Sequence, residues 1–358
     1  MPTALDEMFM AESMTGQVRR FAEQGNERNF IGLYEEGERL YPTTDVVKWD
    51  ETRYSRDLAP ITGPSSPSRA TAKLGITVRS APMLKICEHV DLDWRVMKMA
   101  RGEGTAVPDP AGMLNNNLRN LTNRVNRTRN YWAAKSVLTT NGSVDPGAFP
   151  NADIASGAMP LVYPVASLSA SNSWALPATK IRSEEINRLK LEYQQNTGFF
   201  PALGIGSEQL DNYLNANTEF SEAVRGGGLA AQRIQSSYET GDGVNYGGMQ
   251  WKFAHDYYAA DATPDTEVDV ISDQDLVAIL PANRRDVFAI AEGIQGIPTG
   301  MISKLGTAGF DSLIAEVRGW YAYLELILNP IGLRLHVGWC GMLIQKMQKG
   351  VLVFNMTP

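Results

Sequence analysis

The chain has 358 residues, a formal net charge of −7, 43% hydrophobic and 20% charged residues. That length can bury a real core and suggests about two or three modules. The acidic balance argues against a generally basic nucleic-acid binder without excluding one basic face. Only Cys87 and Cys340 are present, which excludes a disulfide framework and a cysteine-spaced metal site and points to a reduced, intracellular site of folding.

The N-terminal MPTALDEMFMAESMTGQ carries acids early and no apolar run, so no signal peptide is expected. Residues 1–43 are polar, with the amphipathic pieces MTGQVRRFAEQ and FIGLYEEGERLY. They read as an arm that lies on the rest of the subunit or on a neighbour. DVVKWDETR and AKLGITVR are extended, and between them SRDLAPITGPSSPSRA is dense in Pro, Ser and Gly. Residues 44–80 are therefore expected to form a protruding hairpin. A hairpin alone is marginal in water, so something must cover it, and a neighbouring subunit is an economical candidate. Residues 81–101 are expected to be extended at first, with a helix allowed after Asp91.

The stretch from Pro108 to Asn141 carries the clearest signal. Asp109 precedes Pro110, which suits a first helical turn. Met113 or Leu114, Leu118, Leu121, Val125 and Trp132 then recur at helical spacing. The spacing predicts one long spine helix over about 110–140, stopped by Asn141-Gly142. Arg119, Arg124, Arg127 and Arg129 fall mostly off the apolar stripe. They form either a solvated face or a cationic stripe that neutralises phosphates of a polyanion.

A small hairpin is expected after the spine. ATKIRSEEINRLKLEYQQNTG then reads as a helix with Ile181, Ile186, Leu189 and Tyr193 inward, ended by Asn196–Gly198. FFPALGIGS is a buried strand, and SEQLDNYLNANTEF a second helix capped by Ser207. Glycines 226–228 and GDGVNYGG mark a loop, MQWKFAHDYY and DLVAIL are strands, and residues 283–312 read as a long irregular loop. The end, from about residue 319, is β-like, with alternation in LRLHVGW. Its most apolar part, Trp320 to Trp339, is broken by Glu325, Pro330 and Arg334 and is no membrane span.

Catalytic signatures are missing. His89, His255 and His336 stand at no metal-ligand spacing. No nucleophile elbow, phosphate loop or kinase signature is present, and no cofactor or metal is expected.

The order of parts resembles the tailed-phage major capsid proteins, closest to the lambda-type branch (capsid protein E family) of the Hong Kong 97-like fold. The resemblance is carried by the arm, the extended hairpin, and the long helix opened by Asp109-Pro110-Ala111 and closed near SVLTTNG. The helix–strand–helix around IRSEEINRLKLEYQQNTGFFPALGIGSEQLDNYLN adds to it. It implies an α+β capsid fold: N-terminal arm 1–43, extended loop 44–80, peripheral domain 81–177 with the spine helix, axial domain 178–318 and return strands 319–358.

The implied function is a non-enzymatic shell subunit that assembles in the host cytoplasm into the icosahedral head of a virion around double-stranded DNA. Its partners would be copies of itself in hexamers and pentamers, a portal protein, scaffolding and decoration proteins, and DNA held without sequence specificity; no membrane is involved. The resemblance lays the extended loop across an adjacent subunit, with Trp49, Arg53, Tyr54, Arg56, Arg69 and Lys73 as candidate interface residues. Arg119, Arg124, Arg127 and Arg129 are candidates to face DNA. The alternatives are an encapsulin-like nanocompartment shell of the same fold and, more remotely, an α/β enzyme using His255 or Asp256.

Overall fold

The structure is a computed structural model, and it describes residues 11–23, 30–51, 77–93, 110–140, 142–157, 159–163, 165–226, 243–254, 257–259, 267–271, 273–298, 314–328, 331–347 and 349–358. Both amphipathic pieces of the arm are helices. In α1 (Ala11–Glu23) Met14, Val18 and Ala22 are buried, and in α2 (Phe30–Glu35) Phe30, Ile31, Leu33 and Tyr34 are. Both rest on their own chain. β1 (Glu38–Leu40) follows, then β2 (Val46–Glu51) and β3 (Thr77–Pro82), paired antiparallel with Trp49 opposite Arg79. That is the expected hairpin, although residues 52–76 lie outside the described residues. β4 (Leu84–Asp93) stays extended past Asp91.

The spine helix, α3 (Pro110–Val137), has 28 residues, about 42 Å at 1.5 Å each. Leu114, Leu118, Leu121, Val125 and Trp132 are all buried, as their spacing predicted. β5 (Ser143–Val144) and β6 (Leu161–Val162) make the small hairpin after it, and β7 (Val165–Ser169) follows. A π-helical stretch, Ile181–Ile186, leads into α4 (Asn187–Thr197). Ile181, Ile186, Leu189 and Tyr193 all point into the core. Gly198, at φ +81, ends the helix with its amide donating to the Gln194 carbonyl at 2.8 Å.

β8 (Pro201–Gly206) is the expected buried strand, but the helix expected after it is two. α5 (Glu208–Ala216), capped by Ser207 as predicted, stops at Asn217. That residue turns extended (φ −76, ψ 132), and its side chain caps α6 (Thr218–Arg225). The glycine-rich loop also holds structure. β9 (Val244–Tyr246) turns through Gly247 (φ +62) and Gly248 (φ +76) into β10 (Met249–Phe253). Two consecutive positive φ angles match the twist of a tight hairpin, and a Gly-Gly pair allows them. β11 (Tyr257–Ala259) pairs with β12 (Glu267–Asp269), and β13 (Leu276–Pro281) is the apolar strand.

The largest departure lies in 283–312. Instead of one irregular loop, it contains β14 (Phe288–Glu292) and β15 (Ile294–Pro298), the latter paired with β16 (Ile314–Arg318). β17 (Trp320–Leu328), β18 (Ile331–Gln345) and β19 (Val351–Asn355) complete the chain.

Two larger sheets carry the core. The first runs β1–β14–β18–β17, with β4 on the other edge of β18. Gly341 pairs with Glu292 on one side and Leu84 on the other, so β14 and β17 lie in line along one edge of β18. The β15–β16 hairpin leaves that line between Gly293 and Gly319. The Cys340 N–H donates to the Gly319 carbonyl and the Gly293 N–H to the Cys340 carbonyl, both at 3.0 Å, closing the gap. Leu335, Val337 and Trp339 share a core cluster with the spine helix, and the Trp132 and Trp339 rings meet edge to face at 6.2 Å.

The second sheet runs β7–β19–β13–β8–β10–β9. Along β13, Leu276, Ala278 and Leu280 join the spine-helix cluster. Val277 and Ile279 point the other way, into a second cluster with Trp174, Tyr193 and Trp251. Both faces are covered, hence the unbroken apolar run. β19 therefore leaves β17 and β18, which stay by the spine, and joins this second sheet. No helix among the described residues is long and apolar enough to cross a membrane.

Candidate functional site

The β2–β3 hairpin has two unlike faces. Val47 and Ala81 are buried, Trp49 is half-buried, and the Glu51 carboxylate, itself buried, accepts from Arg79 Nε at 2.6 Å. The opposite face, Val46, Lys48 and Asp50 beside Val78, Ser80 and Pro82, is exposed, with Val78 at 67%. An open valine on a strand face with no layer over it is the kind of surface that a second chain can cover. Trp49 sits on the inward side. Arg53, Tyr54, Arg56, Arg69 and Lys73 lie outside the described residues.

The four spine arginines do not form one stripe. Arg119 and Arg127 are exposed. Arg124 is exposed too, but its Nη2 reaches Glu88 Oε1 of β4 at 2.7 Å, an ion pair that ties the helix to the sheet edge. Arg129 corrects the expectation for the group: it is 1% exposed and faces protein. Its guanidinium lies 5.0 Å from the Trp320 ring centre and 4.7 Å from that of Trp339, donates to Glu35 Oε1 at 3.2 Å, and donates to Asn126 Oδ1 at 3.0 Å. Burial pulls this guanidinium below its ordinary pKa and Glu35 pulls it back. The side chain joins α2, the spine helix and the first sheet, a role that the arginine spacing gave no means of separating from that of its neighbours.

The titratable groups among the described residues come together in small sets. His255 and Asp256 lie outside them. His89 and His336 lie side by side on the sheet face away from the spine helix, ring centres 5.5 Å apart. His336 stacks on Tyr323 at 4.6 Å and meets Glu325 at 2.8 Å. Burial lowers its pKa, and Glu325 opposes that shift. Arg334 holds the exposed Asp91 with two hydrogen bonds, at 2.6 and 3.0 Å. Cys87 is exposed and Cys340 buried. No group of three or more His, Cys, Asp or Glu among the described residues could hold a metal. A cavity of about 380 Å³ opens beside the end of the spine helix between Lys135, Asp145 and Asp273. Its described lining has no histidine or cysteine to pair with a nucleophile or base.

No protein-family model matches the sequence, and no curated protein matches it. Solved structures do. A phage-related protein from Bordetella bronchiseptica RB50 is 10% identical, with a TM-score of 0.53 over 97% of this chain and 97% of that one. A putative capsid protein of a prophage in E. coli CFT073 is 12% identical, with a TM-score of 0.53 over 95% of this chain and 98% of that one. At such identities the likeness is one of fold, and it runs nearly end to end in both. The mixed helix-and-strand chain, built on a long helix against one sheet and a second layered sheet, has the Hong Kong 97-like capsid fold that its sequence resembles.

Proposed function

We propose that this chain is a major capsid protein, the subunit of an icosahedral head shell around the double-stranded DNA of a tailed phage. The observation that carries the reading is a fold shared over nearly the whole chain with a putative prophage capsid protein. The hairpin supports it, since its outward face, with Val46 and Val78, is left open by its own subunit. In this reading residues 1–43 are the arm and 44–80 the extended loop; the peripheral domain, expected over 81–177 with return strands 319–358, is the first sheet with the spine helix and includes β14, and the axial domain, expected over 178–318, is the second sheet, which also takes β7 and β19. The loop crosses an adjacent subunit and brings Arg53, Tyr54, Arg56, Arg69 and Lys73 to that contact, while Trp49, first expected there, packs on its own chain's core. Arg119 and Arg127, with Arg124 behind its ion pair, face DNA and neutralise phosphates without reading sequence.

Hexamers and pentamers of the chain close the shell through many repeated weak contacts. A portal protein, scaffolding and decoration proteins complete the particle, which assembles in the host cytoplasm. Such a subunit acts by geometry and performs no catalysis. Sedimentation velocity tests this directly. The chain should run as particles far larger than its 39.3 kDa mass, and Val78→Asp should leave it folded while shifting it toward small species. Large particles unaffected by charge at Val78 would remove the hairpin from the interface. A chain that stays at monomer mass under all assembly conditions would remove the reading itself.

A further inference from the structure

The first sheet has three outer strands, the short β1 and the longer β4 and β17, and the two longer ones are protected in different ways. An edge strand offers unpaired N–H and C=O groups to any other strand, and proteins blunt such edges with charge or cover. β4, LKICEHVDLD, carries Lys85, Glu88, Asp91 and Asp93. β17, WYAYLELIL, has Glu325 as its one charge and neither proline nor glycine, which is the composition of a self-pairing segment. Among the described residues it pairs with β18 alone. In an antiparallel strand alternate residues aim both backbone groups at the same neighbour, and those of Ala322 point away from β18.

What meets them is α1. The Ala322 N–H donates to Thr15 Oγ1 at 3.0 Å, and the same hydroxyl donates to the Ala322 carbonyl at 3.3 Å. One side chain thus takes the place of a strand residue. One turn on, Arg19 Nη2 donates to the Arg318 carbonyl at 2.9 Å. Met14, Val18 and Ala22 fasten the helix by burial in the spine-helix cluster.

We propose that α1 is an intramolecular guard on the outer edge of β17, and that the partner this edge fits once α1 is displaced is the same edge of a second copy. Two β17 strands would run antiparallel about a twofold axis, an isologous contact in which one chain's Ala322 region supplies what Thr15 supplies now. This pairing is separate from shell building, and the guard suppresses it.

Two experiments on the full chain test the inference. In Thr15→Val, amide exchange at Ala322 should rise roughly tenfold while its neighbours bonded to β18 keep their protection; unchanged exchange at Ala322 overturns the guard. Val18→Asp places a charge in the buried face of α1 and should release the helix, giving closed two-chain assemblies that sediment, under conditions that dissociate shells, at about twice the 39.3 kDa chain mass. Adding Tyr323→Lys gives β17 the kind of charge that β4 carries and should abolish those assemblies. If Val18→Asp yields none, or if they persist equally with Tyr323→Lys, the edge is not the pairing surface.

Discussion

Replacing Arg129 with methionine isolates the buried charge from the bulk that surrounds it. Removing one partner of a buried ion pair costs about 3–5 kcal/mol where both charges are dry. Here the Glu35 side chain keeps 23% exposure, so its carboxylate regains part of its hydration when Arg129 is gone, which favours the lower end of that range. The guanidinium also lies against two indoles, contacts worth about 1–2 kcal/mol in a dry site. Methionine refills most of the volume between them. The net expectation is a loss of about 3 kcal/mol. It would be read from guanidinium chloride unfolding of the dissociated chain, followed by tryptophan fluorescence.

Two companions make the reasoning strict. Arg129→Met with Glu35→Leu removes both charges and should return to within about 1.5 kcal/mol of the parent. Arg124→Met, at a side chain 63% exposed, should cost no more than about 0.5 kcal/mol. If Arg129→Met were itself within about 0.5 kcal/mol of the parent, the guanidinium would not be a desolvated tie between α2, the spine helix and the sheet.

Other consequences follow from the same packing. Trp132→Ala empties the contact between the spine helix and Trp339 and should cost about 3–5 kcal/mol in the same assay. Gly338→Ala sets a Cβ about 2.3 Å from the Tyr321 hydroxyl and 2.7 Å from the Ile86 carbonyl. The strand has no room to give, so a loss of about 1–3 kcal/mol is expected. Since the folded His336 has a pKa below its ordinary 6.5, the unfolded chain binds the extra proton first. That part of the stability is complete above about pH 6.5 and is lost as pH falls through the lower folded value. The parent should therefore lose more stability than His336→Gln between about pH 7 and pH 5, and parallel curves would contradict the assignment. Arg119→Gln and Arg127→Gln should each lower the salt dependence of DNA retention by about one phosphate contact, leaving empty shells intact.

The parts of the fold legible in the sequence are those whose burial is one-sided. The spine helix announces itself through Asp109-Pro110 and a stripe from Leu114 to Trp132 because one face meets the sheet and the other meets water. Ile181 to Tyr193 is readable for the same reason. β14 is not: FAIAE is buried on both faces, so it has no alternation, and its partner in β18 lies far along the chain. The break at Asn217 was hidden because Asn-Ala-Asn-Thr reads equally as helix end and helix start, and only the paired caps separate the two helices. Arg129 looked like Arg124 and Arg127 because a guanidinium's partners, Glu35 at a separation of 94 residues and two distant tryptophans, leave no mark on local spacing.

The reading of this chain as a shell subunit is tested most directly by an electron micrograph of the purified full-length protein. It should show closed, isometric particles or capsomer rings of repeating size. A field of single compact molecules, unchanged across salt and protein concentration, would contradict it.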